Sequence, residues 1–127
     1  MMSPFDPEQG LIVVTATMQG PTDSAIVKLA LDTGATHSIL HPDALVRIGY
    51  QPAESENRVQ VTTGSGLEYA PVVPVSRLAA LGKECAGFYV TAVALPETAT
   101  VDGVLGLDFF RGHILTLDFQ QGRISFQ

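Results

Sequence analysis

Ala25-Ile26-Val27-Lys28-Leu29-Ala30-Leu31 runs directly into Asp32-Thr33-Gly34-Ala35, and the chain resumes as Thr36-His37-Ser38-Ile39-Leu40. A mostly apolar, strand-like segment thus ends on an acid, a hydroxyl and a glycine. A carboxylate carried into a core is costly unless it is paired or hydrogen-bonded. Two reasons for Asp32 fit these residues. It can be a turn residue whose side chain bonds its own backbone. It can also be a reactive carboxyl tuned by its surroundings.

Upstream, Leu11 to Met18 is rich in β-branched residues, and Gly20-Pro21-Thr22-Asp23 is turn chemistry. With Ala25 to Leu31 these segments read as a hairpin, and their near-continuous apolarity predicts strands covered on both faces. Residues 1–9 are polar and proline-containing and read as a loose N-terminal arm, leaving 10–127 as the folded domain. Downstream, Thr36 to Leu40 is a short strand. His41 to Gly49 is a short helix, with Pro42 at its first position, Asp43 in the first turn and Gly49 at the cap. A polar loop covers Gln51 to Asn57.

Arg58 to Thr62 and Leu67 to Val73 flank Thr63-Gly64-Ser65-Gly66 and predict a second hairpin with a glycine-rich tip. Its alternating polarity leaves one face to solvent. Pro71 and Pro74 suit an edge strand and a break in the ladder, with a separate strand over Val75 to Leu81 and another over Phe88 to Leu95. Val101 to Gly106 is compact and apolar, and Leu107 to Arg111 is a helical turn. Ile114 to Phe119 and Arg123 to Phe126 form a last hairpin. Six to nine short strands joined by turns predict a closed or folded-over β structure.

The chain has 127 residues, 46% of them hydrophobic and 16% charged, with a formal net charge of -6. That length fits one domain with one core. The acidic balance argues against nucleic acid and anionic membrane surfaces as partners, since both call for a basic face. The single cysteine, Cys85, excludes an intrachain disulfide framework. With no signal-peptide pattern and no apolar run of membrane-spanning length, a cytoplasmic protein is expected.

The ordered set of motifs resembles the retropepsin-like aspartic proteases. Ala30-Leu31-Asp32-Thr33-Gly34-Ala35 resembles the catalytic motif of that family. Gly64-Ser65-Gly66 stands where the family has its flap tip. Val104-Leu105-Gly106-Leu107-Asp108-Phe109-Phe110 resembles its second signature, two apolar residues and a glycine before an acid and a short helix. The likeness extends over about residues 11 to 126. It is strongest to the retrotransposon-like branch, since the Asp and Arg that retroviral members often carry after the two motifs are here Thr36 and Leu107. The resemblance implies an all-β fold: a closed acid-protease-type β-barrel with two short helices and a flap hairpin.

It also implies an aspartic endopeptidase, with Asp32 as the catalytic carboxyl and Thr33, Gly34 and Ala35 as the active-site loop. Thr33 would cross-link the two motif loops through its hydroxyl. Thr63, Gly64, Ser65 and Gly66 would form the flap over a polypeptide substrate, and Val104, Leu105, Gly106 and Asp108 would give structural support. Hydrolysis by carboxyls needs two of them sharing a proton, and the chain carries one such motif. The second acid must come from a second copy, making a homodimer. No cofactor and no metal are expected. Pro42 interrupts the helix that His37 and His41 would need to act as joint ligands.

Blander readings stand beside these. Asp32-Thr33-Gly34 can be an Asx-turn, and Gly64-Ser65-Gly66 a plain hairpin turn. Cys85, lacking a Cys–His constellation, reads as an inert thiol. Asp108 caps or braces its helix, and Asp102 is a turn residue near the site. The alternative function is a non-catalytic peptide-binding or dimerisation module on the same fold.

Overall fold

Strands β2 (Val13–Gln19) and β3 (Ser24–Leu31) pair antiparallel from Val13↔Ala30 to Gln19↔Ser24. The structure, a computed structural model, describes residues 1–63 and 65–127. The turn between the strands is closed by Gly20 N donating to Asp23 O at 2.9 Å. Val14, Ala16 and Met18 of β2 are buried with Val27 and Leu29 of β3. Thr15, Thr17 and Lys28 lie on the opposite face and are exposed, and Ile26 is 71% exposed. The expected cover on both faces is therefore incorrect. The period-2 pleat sends alternate side chains outward, and among the described residues nothing covers that side.

The next elements are β4 (Ile39–Leu40), α1 (Pro42–Arg47), a 3-10 turn at Pro52–Glu54 and β5 (Arg58–Thr63). Then come β6 (Gly66–Ala80), β7 (Lys83–Ala92), β8 (Gly103–Leu105) and α2 (Leu107–Phe110). Strands β2, β3, β8, β4, β7 and β6 follow one another in a mixed sheet, and β2–β6 pairing at Thr17↔Ala79, Met18↔Leu78 and Gln19↔Arg77 closes it into a barrel. The β3–β8 and β4–β7 pairs are parallel, the others antiparallel. Closure leaves no open edge in the barrel wall.

The break expected at Pro71 and Pro74 does not occur, since β6 is one 15-residue strand. Pro71 pairs with Arg58 of β5, and Pro74 with Tyr89 of β7. The strand exchanges one partner for the other between these residues, so each proline has a strand neighbour on one side alone. A missing N–H there removes no ladder bond. Beyond the barrel wall, β5 and the first residues of β6 project as a two-stranded hairpin. The β6–β7 turn passes through Leu81 at φ +52° and Gly82 at φ +79°, the primed geometry that suits a tight hairpin.

A separate sheet joins the chain ends, in the order β1 (Met2–Pro4), β10 (Arg123–Phe126), β9 (Leu115–Asp118). The first residues are thus tied down rather than loose: Met2 pairs with Ser125, and Phe126 N donates to Met1 O at 2.8 Å. Phe126 stacks on the fully buried Phe109 of α2 with centroids 5.6 Å apart, and Phe110 and Phe88 meet Phe109 edge-on. These aromatic contacts fasten the terminal sheet to the helix beside the second glycine motif. No helix among the described residues is long and apolar enough to cross a membrane.

Candidate active site

Strand β3 is held at its end from both sides. Leu31 N donates to Ile12 O at 2.8 Å, and Asp32 N donates to Leu105 O of β8 at 3.0 Å. Asp32 then turns the chain. Its Oδ1 accepts from Gly34 N at 2.8 Å, and its carbonyl accepts from Ala35 N at 3.2 Å. The Asx-turn is therefore present, and it fixes the carboxyl group by one oxygen. Among the described residues no donor reaches Oδ2. A Cβ on Gly34 would lie 3.1 Å from Asp32 Oδ1, so glycine keeps that oxygen unobstructed.

Asp32, Thr33 and Gly34 are exposed in the single chain. The expectation of a carboxylate buried at a strand end is corrected: β3 emerges at the rim of the barrel, and Asp32 stands outside it. Its position is nonetheless rigidly defined, because the loop after it is laced to the 105–108 segment. Leu107 N donates to Ala35 O at 2.8 Å, and Gly106 N donates to Ser38 Oγ at 3.0 Å. Ser38 Oγ donates to Asp108 Oδ1 at 2.7 Å, and Ser38 N donates to Asp108 Oδ2 at 2.9 Å. Ser38 is 2% exposed, so these bonds replace water it has lost.

Gly106 sits where two backbones meet. A Cβ there would approach Ala35 O to 2.7 Å and the carbonyl carbon of His37 to 2.9 Å. Val104 pairs with Ala30 on one side and Ile39 on the other, and Leu105 is fully buried. Asp108 does not cap its own helix. It lies in the first turn of α2, where the N-cap Gly106 has no side chain to offer, and its carboxylate reaches across to Ser38. Lys83 Nζ donates to Phe109 O at 2.9 Å and lies 4.8 Å over the Phe109 ring, pinning the end of the same helix.

Two residues carry more of the site than the sequence assigned them. Ser38 is the hub of the lacing, signalled only by a small hydroxyl before two apolar residues. Asp102 bridges β3 to the start of α1: its Oδ2 accepts from Lys28 N at 2.8 Å, its N donates to Lys28 O at 2.7 Å, and its carbonyl accepts from His41 N at 2.8 Å. His41 itself is the N-cap of α1, with Nδ1 accepting from Asp43 N. Thus the carboxylates of Asp102 and Asp108, the acids on the elements bracing the loop, are both engaged by the scaffold.

The β5–β6 register runs to Thr63↔Gly66, and Gly66 takes φ +111°. Ser65 is exposed in the turn, and Gly64 lies outside the described residues. Ser65 lines a cavity of about 520 Å³ between this hairpin and residues 92–96, a lining that does not include Asp32 to Ala35. The 92–96 wall continues β7, which is tied to β4 by Thr91 N donating to Ser38 O and Val93 N to Leu40 O. Site loop, second glycine motif and cavity wall therefore share one framework. A carboxyl with one oxygen fixed and the other open can accept or donate a proton toward a molecule held against it.

Residues 14–109 match the family model described as aspartyl protease. No curated protein sequence matches the chain. Among solved structures, the fold is similar to that of a retropepsin-like aspartic protease from Rickettsia conorii, with a TM-score of 0.73 and 15% identity over 98% of this chain and 86% of that one.

Proposed function

The chain belongs to the aspartyl protease family, and from that premise we propose that it is an endopeptidase whose active site forms between two copies. The observation that carries this reading is Asp32: an exposed carboxyl, oriented by Gly34 N, in a loop tied to Leu105 and Leu107 while Asp102 and Asp108 are engaged elsewhere. A twofold axis beside the loop would set Asp32 against the partner's Asp32 and supply the missing acid. The exposed hydroxyl of Thr33 would cross-link the two loops there.

Two carboxyls at such range cannot both ionise, so they hold one proton between them. The ionised carboxylate takes a proton from water as its oxygen attacks the peptide carbonyl carbon. The protonated partner gives its proton to the carbonyl oxygen. The resulting diol collapses when the amide nitrogen takes a proton from the first carboxyl, the C–N bond breaks, and a diol hydroxyl returns its proton to the second carboxylate, so the pair again holds one proton. The β5–β6 hairpin would close over the substrate and exclude water, as mobile lids do. Extended polypeptide suits this site, since a hairpin offers strand-type hydrogen bonds along its length.

Cleavage of a peptide library at mildly acidic pH, by the wild type and by Asp32→Asn, tests the reading. Cleavage that disappears in the variant supports it. Equal background in both chains overturns it.

A further inference from the structure

Glu68 is the sole charged side chain in the lining of the cavity between the β5–β6 hairpin and residues 92–96. The remaining walls are mostly apolar, including Val61, Ala70, Val93, Leu95 and Pro96. Glu68 stands opposite Val61 in the β5–β6 register and two residues from Ala70, and all three line this cavity. Among the described residues no cation lies within ion-pair distance of it. Cations of the surrounding strands are occupied elsewhere: Lys83 on Phe109 O, Arg77 on Glu84 and Arg58 on Ala53 O. Glu68 is exposed, and with no counter-charge from its own fold it is open to pairing with a cationic group of a ligand.

We propose that this cavity receives a lysine or arginine side chain of the bound polypeptide, with Glu68 as the residue that selects it. The proposal rests on the protease reading and deepens it by naming a substrate class. An extended chain laid under the hairpin turns alternate side chains toward it. A basic side chain suits the cavity in both parts: its aliphatic stem lies along Val61, Ala70 and Leu95, and its charged end reaches Glu68. Arginine adds a forked contact to the carboxylate that lysine cannot make. A volume of about 520 Å³ is ample for one such side chain, within the roughly 300–1,000 Å³ range of ligand pockets.

The test uses the full chain and pairs of ten-residue peptides that differ at one scanned position, lysine against norleucine. Binding is read by fluorescence anisotropy on Asp32→Asn, and kcat/KM on the chain with Asp32 intact. At one position lysine should be preferred about three- to tenfold, the scale of a partly screened ion pair. Glu68→Gln should bring the ratio close to one, and Glu68→Lys should invert it. A lysine-to-norleucine ratio that is the same in the wild type and in Glu68→Gln at every position overturns the inference. Asp32-dependent cleavage alongside that result leaves the protease reading standing, whereas neither cleavage nor binding of any peptide overturns both.

Discussion

Ser38 and Asp108 are seventy residues apart in the sequence and share two hydrogen bonds, from Ser38 Oγ to Oδ1 at 2.7 Å and from Ser38 N to Oδ2 at 2.9 Å. The same hydroxyl accepts from Gly106 N. One buried side chain thus joins the loop after Asp32 to the helix after Gly106. Ser38→Ala would leave Asp108 Oδ1 and Gly106 N without this partner. Each orphaned group costs about 1–3 kcal/mol. With two groups orphaned, denaturant unfolding at fixed protein concentration should show a loss of roughly 2–6 kcal/mol, and Ser38→Thr should recover part of it.

Gly106→Ala should be more damaging than its size suggests, because the new methyl would lie 2.7 Å from Ala35 O and 2.9 Å from the His37 backbone. One of the two backbones must move, and overpacking of this kind costs roughly 1–3 kcal/mol or more. Gly10→Ala is the control, since nothing lies within 4 Å of a Cβ there. Unfolding midpoints that are equal for the two variants would contradict this account of Gly106.

Asp32→Asn should abolish proteolysis without unfolding the chain. Asparagine retains the oxygen that accepts from Gly34 N, so the turn survives while the ionisable group is lost. Its stability should stay within about 0.5 kcal/mol of the wild type, as for other exposed substitutions. Asp32→Ala removes the turn bond as well and should be the less stable of the two. Activity assays run beside thermal unfolding separate these effects.

Phe109→Ala should cost roughly 3–5 kcal/mol, because its ring is fully buried and meets Phe88, Phe110 and Phe126. The cavity it leaves would loosen the terminal sheet from α2. Phe109→Leu should cost less, and calorimetry on both variants would rank them.

Activity per chain should fall on dilution if the acid pair forms between two copies. Sedimentation across the same concentrations should show the dimer disappearing in parallel. Constant activity per chain, well below the concentration at which dimers vanish, would exclude a shared site.

The sequence by itself determined what local patterns encode. The first and last hairpins, the Gly20-Pro21-Thr22-Asp23 turn, the Pro42 start of α1 and the two glycine motifs were legible because each depends on neighbours within a few residues. The near-continuous apolarity of β2 and β3, by contrast, concealed their exposed face. Pro71 and Pro74 were misleading, since the segments around them merge into β6, while β1 and β8 are too short to announce themselves. Whether a proline ends a strand depends on which neighbour lies beside it, and that is not a local property.

Only the tertiary structure decided how Asp32 is presented. The lacing of Ser38 to Asp108, the meeting of Gly106 with Ala35, and closure of the barrel through Met18↔Leu78 all join residues distant in sequence. Such contacts arise from long-range pairing that no local period records. The same holds for exposure. The motif predicted a carboxyl at the end of β3, but whether it faces core or solvent was set by where the barrel wall ends, and it ends just before Asp32.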